Sequence, residues 1–392
     1  MYRYVYILVG QSHLMPSKQR GEGLRKIIKS VRDGTFEYKG KESVTTNWAQ
    51  YDQAQIYEMI YYLDNIRDLV DEVDERIKKR TPPRKQGPGR PPTDPADVAK
   101  APLLQTYANS SNRVAERFLL LFREKLGIDC HFSYKTIERG YDREPVNKIL
   151  DEIVVIANES VEGEEETFSF DGTGFSASNK ENYSDKRQKQ NSKKGSKKSK
   201  SASKEQADDS FPESNSAAKK RFSYSVIGTG VQYKLISGIS ISPDHSIGET
   251  TMFSEAFNQT LNCHPTLDGV LGGGIYACRW IANLISENNS TPHFLPRSNV
   301  TFKSKGAMGW YDMLFSLWED PHEWLEHYHM RSISETVNSM VKYRFGAPLR
   351  KRLESRKETE TRLKLVGHNI RRVGYLEIMG DVVPHWRRSA GS

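Results

Sequence analysis

Between residues 167 and 300 the hydrophobic pattern changes period in a fixed order, and that order constrains the fold more than any other feature. "TFSFDGTGFS" alternates Phe168 and Phe170 with Thr167, Ser169 and Asp171, the two-residue period of a half-buried strand that ends at an acid and two glycines. "RFSYSVIGTG" and "YKLISGISISP" predict two more strands, separated by a turn near 228–232. "TTMFSEAFNQTL" then takes a helical period, "DGVLGGGIY" (268–276) reads as a buried strand, and "ACRWIANLISEN" reads as a helix. "TPHFLPRSN" is a short strand closed by prolines, and a mixed, tryptophan-bearing segment at 303–326 leads into a last helix.

Strands joined by short turns pair antiparallel, whereas strands separated by helices pair parallel. The order therefore predicts an α/β fold: a ribonuclease-H-like mixed sheet of three antiparallel strands plus parallel α/β units. An all-helical N-terminal region is expected before it. Apolar residues at helical spacing (Ile56, Ile60, Leu63, Ile66, Leu69, Val70) run among acids over 50–79. Three shorter helical segments follow at 95–107, 111–126 and 133–141, with Asp94, Ser110 and Ser133 as candidate N-caps and Pro102 as an awkward interruption. The last of them carries Lys135 and Arg139, which suits a helix-turn-helix-like module that meets phosphates or bases.

Composition divides the chain further. Residues 1–80 form an N-terminal helical region and 81–94 a linker rich in proline, glycine and cations. Within it, 85–92 holds a Gly-Arg-Pro core, and Arg90 is suited to a DNA minor groove. Residues 95–160 form the helix-turn-helix-like region and 161–375 the α/β domain, with 376–392 as a tail. A basic insertion at 179–221, including "KRQKQNSKKGSKKSKSASKEQ", has nothing apolar to bury and suits sequence-independent phosphate contact.

The net charge of +8 favours a polyanionic partner, nucleic acid or membrane surface. No apolar run reaches the length of a membrane span, and "MYRYVYILVGQ" is too short and poorly flanked for a secretory signal. Cys130, Cys263 and Cys278 stand apart, as reduced thiols in a cytoplasmic protein do, and form neither a zinc site nor a disulfide framework.

"YHMRSISETVNSMVK" (328–342) predicts one helix of three to four turns. Ile333, Val337, Met340 and Val341 share its apolar side, and Tyr328, Arg331, Glu335 and Lys342 fall within an arc of roughly 60° on the other. This Y-x2-R-x3-E-x6-K spacing, with "FSFDGTGFS" and "VLGGGIYACR" before it and "RLKLVGHNIRR" after it, resembles the DDE transposases of prokaryotic insertion sequences over roughly 90–375. The resemblance implies that Asp171 and Glu335 are catalytic and hold metal, with two Mg2+ or Mn2+ ions in an intact site. It implies that Tyr328, Arg331 and Lys342 hold DNA. Its reaction is metal-dependent cleavage of double-stranded DNA at the element's terminal repeats, then strand transfer into target DNA, by a homodimer in the prokaryotic cytoplasm at the nucleoid.

One position departs from that pattern. Where the family carries its second aspartate, this chain carries Gly273, which has no side chain to ligate an ion. Asp268 lies five residues earlier, about 16 Å away at ~3.3 Å per residue and on the other strand face, and Asp244 is fixed by no motif. Neither is a good replacement, so the sequence reads as a transposase whose activity in this copy is in question. The rival readings are a catalytically dead DNA-binding protein of the same descent and, against the Y-R-E-K spacing, a nuclease of the same fold acting on RNA or branched substrates.

Overall fold

The computed structural model describes residues 17–37, 45–81, 93–177, 222–243 and 247–388. Arg90 and the insertion at 179–221 lie outside the described residues, as does Asp244. Every described element before Thr167 is a helix: α1 (Ser17–Arg32), α2 (Trp48–Arg80), α3 (Pro95–Tyr107), α4 (Asn112–Phe122), α5 (Tyr134–Gly140) and α6 (Glu144–Glu159). Then come β1 (Thr167–Ser176), β2 (Phe222–Gly230), β3 (Ile236–Ser242), α7 (Glu249–Cys263), β4 (Gly269–Gly272), α8 (Arg279–Glu287) and β5 (Thr291–Phe294). Five further helices complete the described chain: α9 (Met308–Glu319), α10 (Pro321–His329), α11 (Ser332–Phe345), α12 (Glu354–Met379) and α13 (His385–Arg388).

The strands form one sheet in the order β3-β2-β1-β4-β5. β1 pairs antiparallel with β2, and β2 with β3. β4 runs parallel to β1, and β5 to β4, because α7 and α8 carry the chain back between them. This mixed connectivity is compatible with a ribonuclease-H-like sheet. β4 spans only 269–272 rather than 268–276: Tyr276 N–H returns to Gly273 O (3.0 Å), so the chain turns at the glycines instead of extending.

Alternate strand residues feed two different cores. Phe168, Phe170 and Val226 join Phe253 and Phe257 of α7, Phe294, and Leu24 and Ile28 of α1. Phe175, Ile227, Ile236 and Ile239 face the opposite way, toward α6, α11, α12 and the helices α2 to α5. The helical region thus shares a core with the sheet. Glu58 of α2 accepts hydrogen bonds from Tyr107 of α3 (3.1 Å), Arg344 of α11 (3.0 Å) and Arg371 of α12 (2.5 Å), tying four helices at one carboxylate.

Helices α1, α6, α9 and α13 were not foreshadowed individually by the sequence reading. α6 begins with Pro145 in its first turn and buries Val146, Ile149, Leu150 and Ile153. Its Asn158 donates to Ile236 O (2.9 Å), joining helix to sheet. Of the proposed caps, Asp94 accepts from Ala96 N–H (2.9 Å), whereas the N-cap of α4 is Ser111 rather than Ser110. Pro102 sits inside α3 without ending it.

Candidate active site at the end of β1

Asp171 lies mid-β1, directly after Phe170, the last β1 residue in register with β4. Phe170 pairs with Gly272, so the next residue on each strand, Asp171 and Gly273, leave the ladder side by side. Gly273 has no left-handed backbone angle, and a Cβ built on it meets nothing within 4 Å. A side chain is therefore missing there for no steric reason.

Over this strand end lies α11. Ser169 Oγ donates to Arg331 O and lies 2.9 Å from Ser334 Oγ, fixing the first turn of α11 on β1. One turn further, Asn338 Nδ2 donates to Asp171 Oδ2 (2.9 Å). Glu335 is exposed at the same helix edge and is paired with Arg331 (2.9 Å). Burial pushes the Asp171 carboxyl above its ordinary range. The negative charges of Glu249 and Glu335 push it the same way, and the Asn338 hydrogen bond opposes them. Lys342 is half-buried near Asp171, and its ammonium is held below the usual lysine range by desolvation.

The expected single helix over 328–342 is instead two, and this is the main correction to the predicted polar face. α10 ends at His329 and α11 begins at Ser332. Across the joint, N–H groups of Met330, Arg331, Ile333 and Ser334 bond three residues back, a local tightening to 3₁₀ geometry. At ~120° rather than ~100° per residue, that turn rotates Tyr328 away from the arc it was predicted to share. Tyr328 is buried, its ring stacked on Trp324 (5.3 Å between centroids), with Arg331 over its other contact surface at 5.3 Å. Arg331, Glu335 and Lys342 remain on α11 or at its cap. Lys135 and Arg139 are exposed on α5.

Of the two acids considered as substitutes, Asp244 lies outside the described residues and Asp268 does not reach the site. Asp268 precedes β4 at the opposite end of the strand and is exposed. The structure places another acid nearby, Glu249, the first residue of α7, which sequence reasoning missed; its charge acts on Asp171, but it packs over Gly172, on the opposite face of β1. Its carboxylate accepts from Tyr224 Oη, and it covers Gly172 so closely that a Cβ there would lie 2.6 Å from the carboxyl carbon. Only a glycine at 172 leaves room for that acid. Asn338 was missed too, although its place one turn after Glu335 on the same helix was a signal for it.

Hard divalent ions need several oxygen donors. Here Asp171 is engaged by Asn338, Glu335 by Arg331 and Glu249 by Tyr224, and position 273 offers none. Among the described residues no group of three or more His, Cys, Asp or Glu could hold a metal ion. The donor set does not fit a two-ion centre.

Asp171 on the central strand and Glu335 on the helix that crosses it are the acids this mixed sheet presents, and the sequence comparisons bear on what kind of protein carries them. The chain is 26% identical over 313 residues, 78% of its length and 83% of the relative's, to a probable transposase for insertion sequence element ISA1214 of Archaeoglobus fulgidus. No protein-family model matches the chain, and no solved structure does. No described helix is long and apolar enough to cross a membrane.

Proposed function

We propose that this chain is an insertion-sequence transposase by descent that binds double-stranded DNA, with the DNA-cleaving step of its family disabled in this copy at Gly273. What supports the descent is similarity to a named transposase along most of both chains. What carries the disabled step is one observation: Gly273 follows the last residue of β4 beside Asp171 of β1, beneath the helix that bears Glu335, and one of these three positions has no donor. In this reading the sheet is ribonuclease-H-like and the chain works as a homodimer on the element's terminal repeats. Residues 81–94, with Arg90, and the helices of 95–160, with Lys135 and Arg139, contribute DNA contacts. Arg331 and Lys342 supply the cations nearest the acids, one as a planar fork and the other as a point charge.

The test compares the unmodified protein, Gly273→Asp, Glu335→Ala, and Gly273→Asp with Glu335→Ala. Each is mixed with supercoiled DNA carrying the sequences that flank its gene, in Mg2+ and in Mn2+. Nicking by Gly273→Asp alone, with Mn2+ binding in the same variant seen by electron paramagnetic resonance, is the expected result. Nicking by the unmodified protein that Glu335→Ala abolishes would sink the disabled reading and leave the transposase reading standing. Binding to RNA or branched DNA in preference to duplex ends would instead favour a nuclease.

A further inference from the structure

An open groove of about 830 Å³ lies between the 346–353 loop and the start of α4, but its polar groups already hold one another. Arg350 donates to Asn109 O (2.7 Å), Lys351 Nζ donates to Asn112 Oδ1 (2.6 Å), and Glu360 accepts the backbone N–H groups of both residues from below. The surface that stays uncovered is apolar, and it lies on α2. With 33 residues at ~1.5 Å each, α2 is about 50 Å long. α3 runs back along it, with Lys100 against Asp71 (2.6 Å) and Tyr107 against Glu58 (3.1 Å), and ends there. Toward its N-terminus α2 therefore extends past α3. On one side of that extension it keeps α12, where Tyr51 meets Tyr375 at 6.5 Å between ring centroids.

The apolar stripe of α2 does not stop where its cover stops. At ~100° per residue, Trp48, Ile56, Met59, Leu63, Ile66 and Val70 fall within an arc of roughly 80°. From Leu63 onward these residues are buried, whereas Trp48 is 68% and Ile56 73% exposed, and Met59, Ile60 and Tyr57 widen the uncovered face. Charge divides the helix at the same point. Along its covered half the outer face is a ladder of ion pairs one turn apart, Glu72–Arg76, Asp74–Lys78 and Glu75–Lys79. Between Trp48 and Ile66 the chain has no lysine or arginine, and its acids are Asp52, Glu58 and Asp64. Glu58 is turned onto Arg344 and Arg371, and Asp64 is paired with Lys125, which leaves Asp52 as the charge on the uncovered face. Without cations such a face does not suit phosphate. Its five large side chains leave on the order of 500–600 Å² uncovered, the upper end of the largest apolar patch that a monomer ordinarily carries. That is most of the ~800 Å² that each partner contributes to a standard interface.

We propose that this face binds a second copy of the chain, the N-terminal halves of two α2 helices packing antiparallel about a two-fold axis near Ile56. A two-fold axis sets a surface against itself. A broad apolar face with one acid is its own complement, whereas a face crowded with charge of one sign is repelled by its copy. In this pairing Ile56 meets its own counterpart. The two Arg80 ends of α2 then stand about 70 Å apart at ~1.5 Å per residue, at opposite ends of the pair. Each chain leaves its α2 there toward the helices of 95–160, so the two sets of DNA-facing helices are held apart. The inference rests on the homodimer of the function proposed above and gives it a surface, but the pairing itself needs no DNA, so the two can fail separately.

The experiment measures the oligomeric state of the full chain, without DNA, by sedimentation over a wide range of protein concentration. The proteins are the unmodified chain, Ile56→Glu, Ile56→Lys, an equimolar mixture of those two, and Leu121→Glu, a control at a side chain as exposed as Ile56 but on α4. Thermal unfolding of each checks that the fold is kept. The unmodified chain is expected to sediment as a dimer. Ile56→Glu and Ile56→Lys are each expected to raise its dissociation constant at least ~100-fold, because the axis would bring two like charges together. The mixture is expected to restore the dimer to within about tenfold of the unmodified chain, since opposite charges then meet there. Leu121→Glu is expected to change the constant less than about threefold. Equal losses in Leu121→Glu and Ile56→Glu, or a mixture that stays monomeric, would overturn the pairing. A monomeric unmodified chain would overturn it too and leave the face to another protein. Fluorescence anisotropy of the same proteins with a labelled duplex completes the set: dimers that bind no duplex DNA would overturn the proposed function and leave this pairing standing.

Discussion

The strand end around Asp171 and the groove around Lys351 are opposites in charge, yet burial treats them alike. At the strand end, desolvation and the neighbouring Glu249 and Glu335 raise the Asp171 carboxyl toward its neutral form. In and beneath the groove, desolvation lowers Lys351 and Lys364 to about 8, again toward neutral. Each region is therefore less charged than its residue types suggest. The difference lies in how the strain is answered. The lysines are engaged by fixed oxygens: Lys364 Nζ donates to Gly346 O (2.7 Å) and Pro348 O (2.9 Å), and Lys351 to Asn112. The acids have only Asn338, Arg331 and Tyr224 between them, and a glycine where another group would sit. The groove is built to hold its shape, whereas beside Asp171 there is open space over Gly273.

The contrast can be broken most directly at Glu360. This buried carboxylate holds two backbone N–H groups of the groove loop, and Glu360→Ala leaves them and Lys364 without it. A loss of about 3–5 kcal/mol in urea unfolding is expected, the cost of stranding buried polar groups and charge. A loss under about 1 kcal/mol would show that the loop is not fixed from below.

Asn338→Ala probes the other side of the comparison. Removing the donor to Asp171 is expected to cost about 1–3 kcal/mol and to raise the Asp171 carboxyl further, read by carbon-13 titration of its side chain. An unmoved titration would mean that Asn338 does not position that carboxylate.

The smallest effect expected is a pH-dependent gain. Because the folded-state value of Asp171 lies above its unfolded value, its favourable contribution is complete below the ordinary aspartate range and is lost as pH rises through the folded value. Asp171→Asn removes the buried charge and keeps an acceptor for Asn338. It is expected to melt a few degrees higher than the unmodified protein at pH 8, with the gap closing toward pH 4. A gap that is constant with pH would contradict the sign of that shift.

Much of the fold was legible along the chain. The alternation that placed Phe168 and Phe170 on one face and Asp171 on the other is local, as are the helical periods of α2, α3 and α7. α6 lies inside the expected helical region of 95–160 but carries no signal that sets it apart as a helix of its own, because its N-cap is Arg143 and makes no side-chain capping bond. Tyr328 was misplaced because helical periodicity assumes a constant angle per residue, and one 3₁₀ turn at Met330 and Arg331 breaks that assumption. Glu249 could not be assigned from its surroundings in sequence. It comes near Asp171 only because α7 packs across β3 and β2 and Gly172 leaves its carboxylate room.

The sequence by itself determined the order of the strands and of the helices between them, since each is a matter of local period. The tertiary structure alone decided that Asn338 donates to Asp171, that Tyr328 turns into the core, and that Lys351 reaches Asn112. The two hydrogen bonds among these span 167 and 239 positions of chain, and only the packing of helices on the two faces of one sheet brings such distant residues within reach of each other.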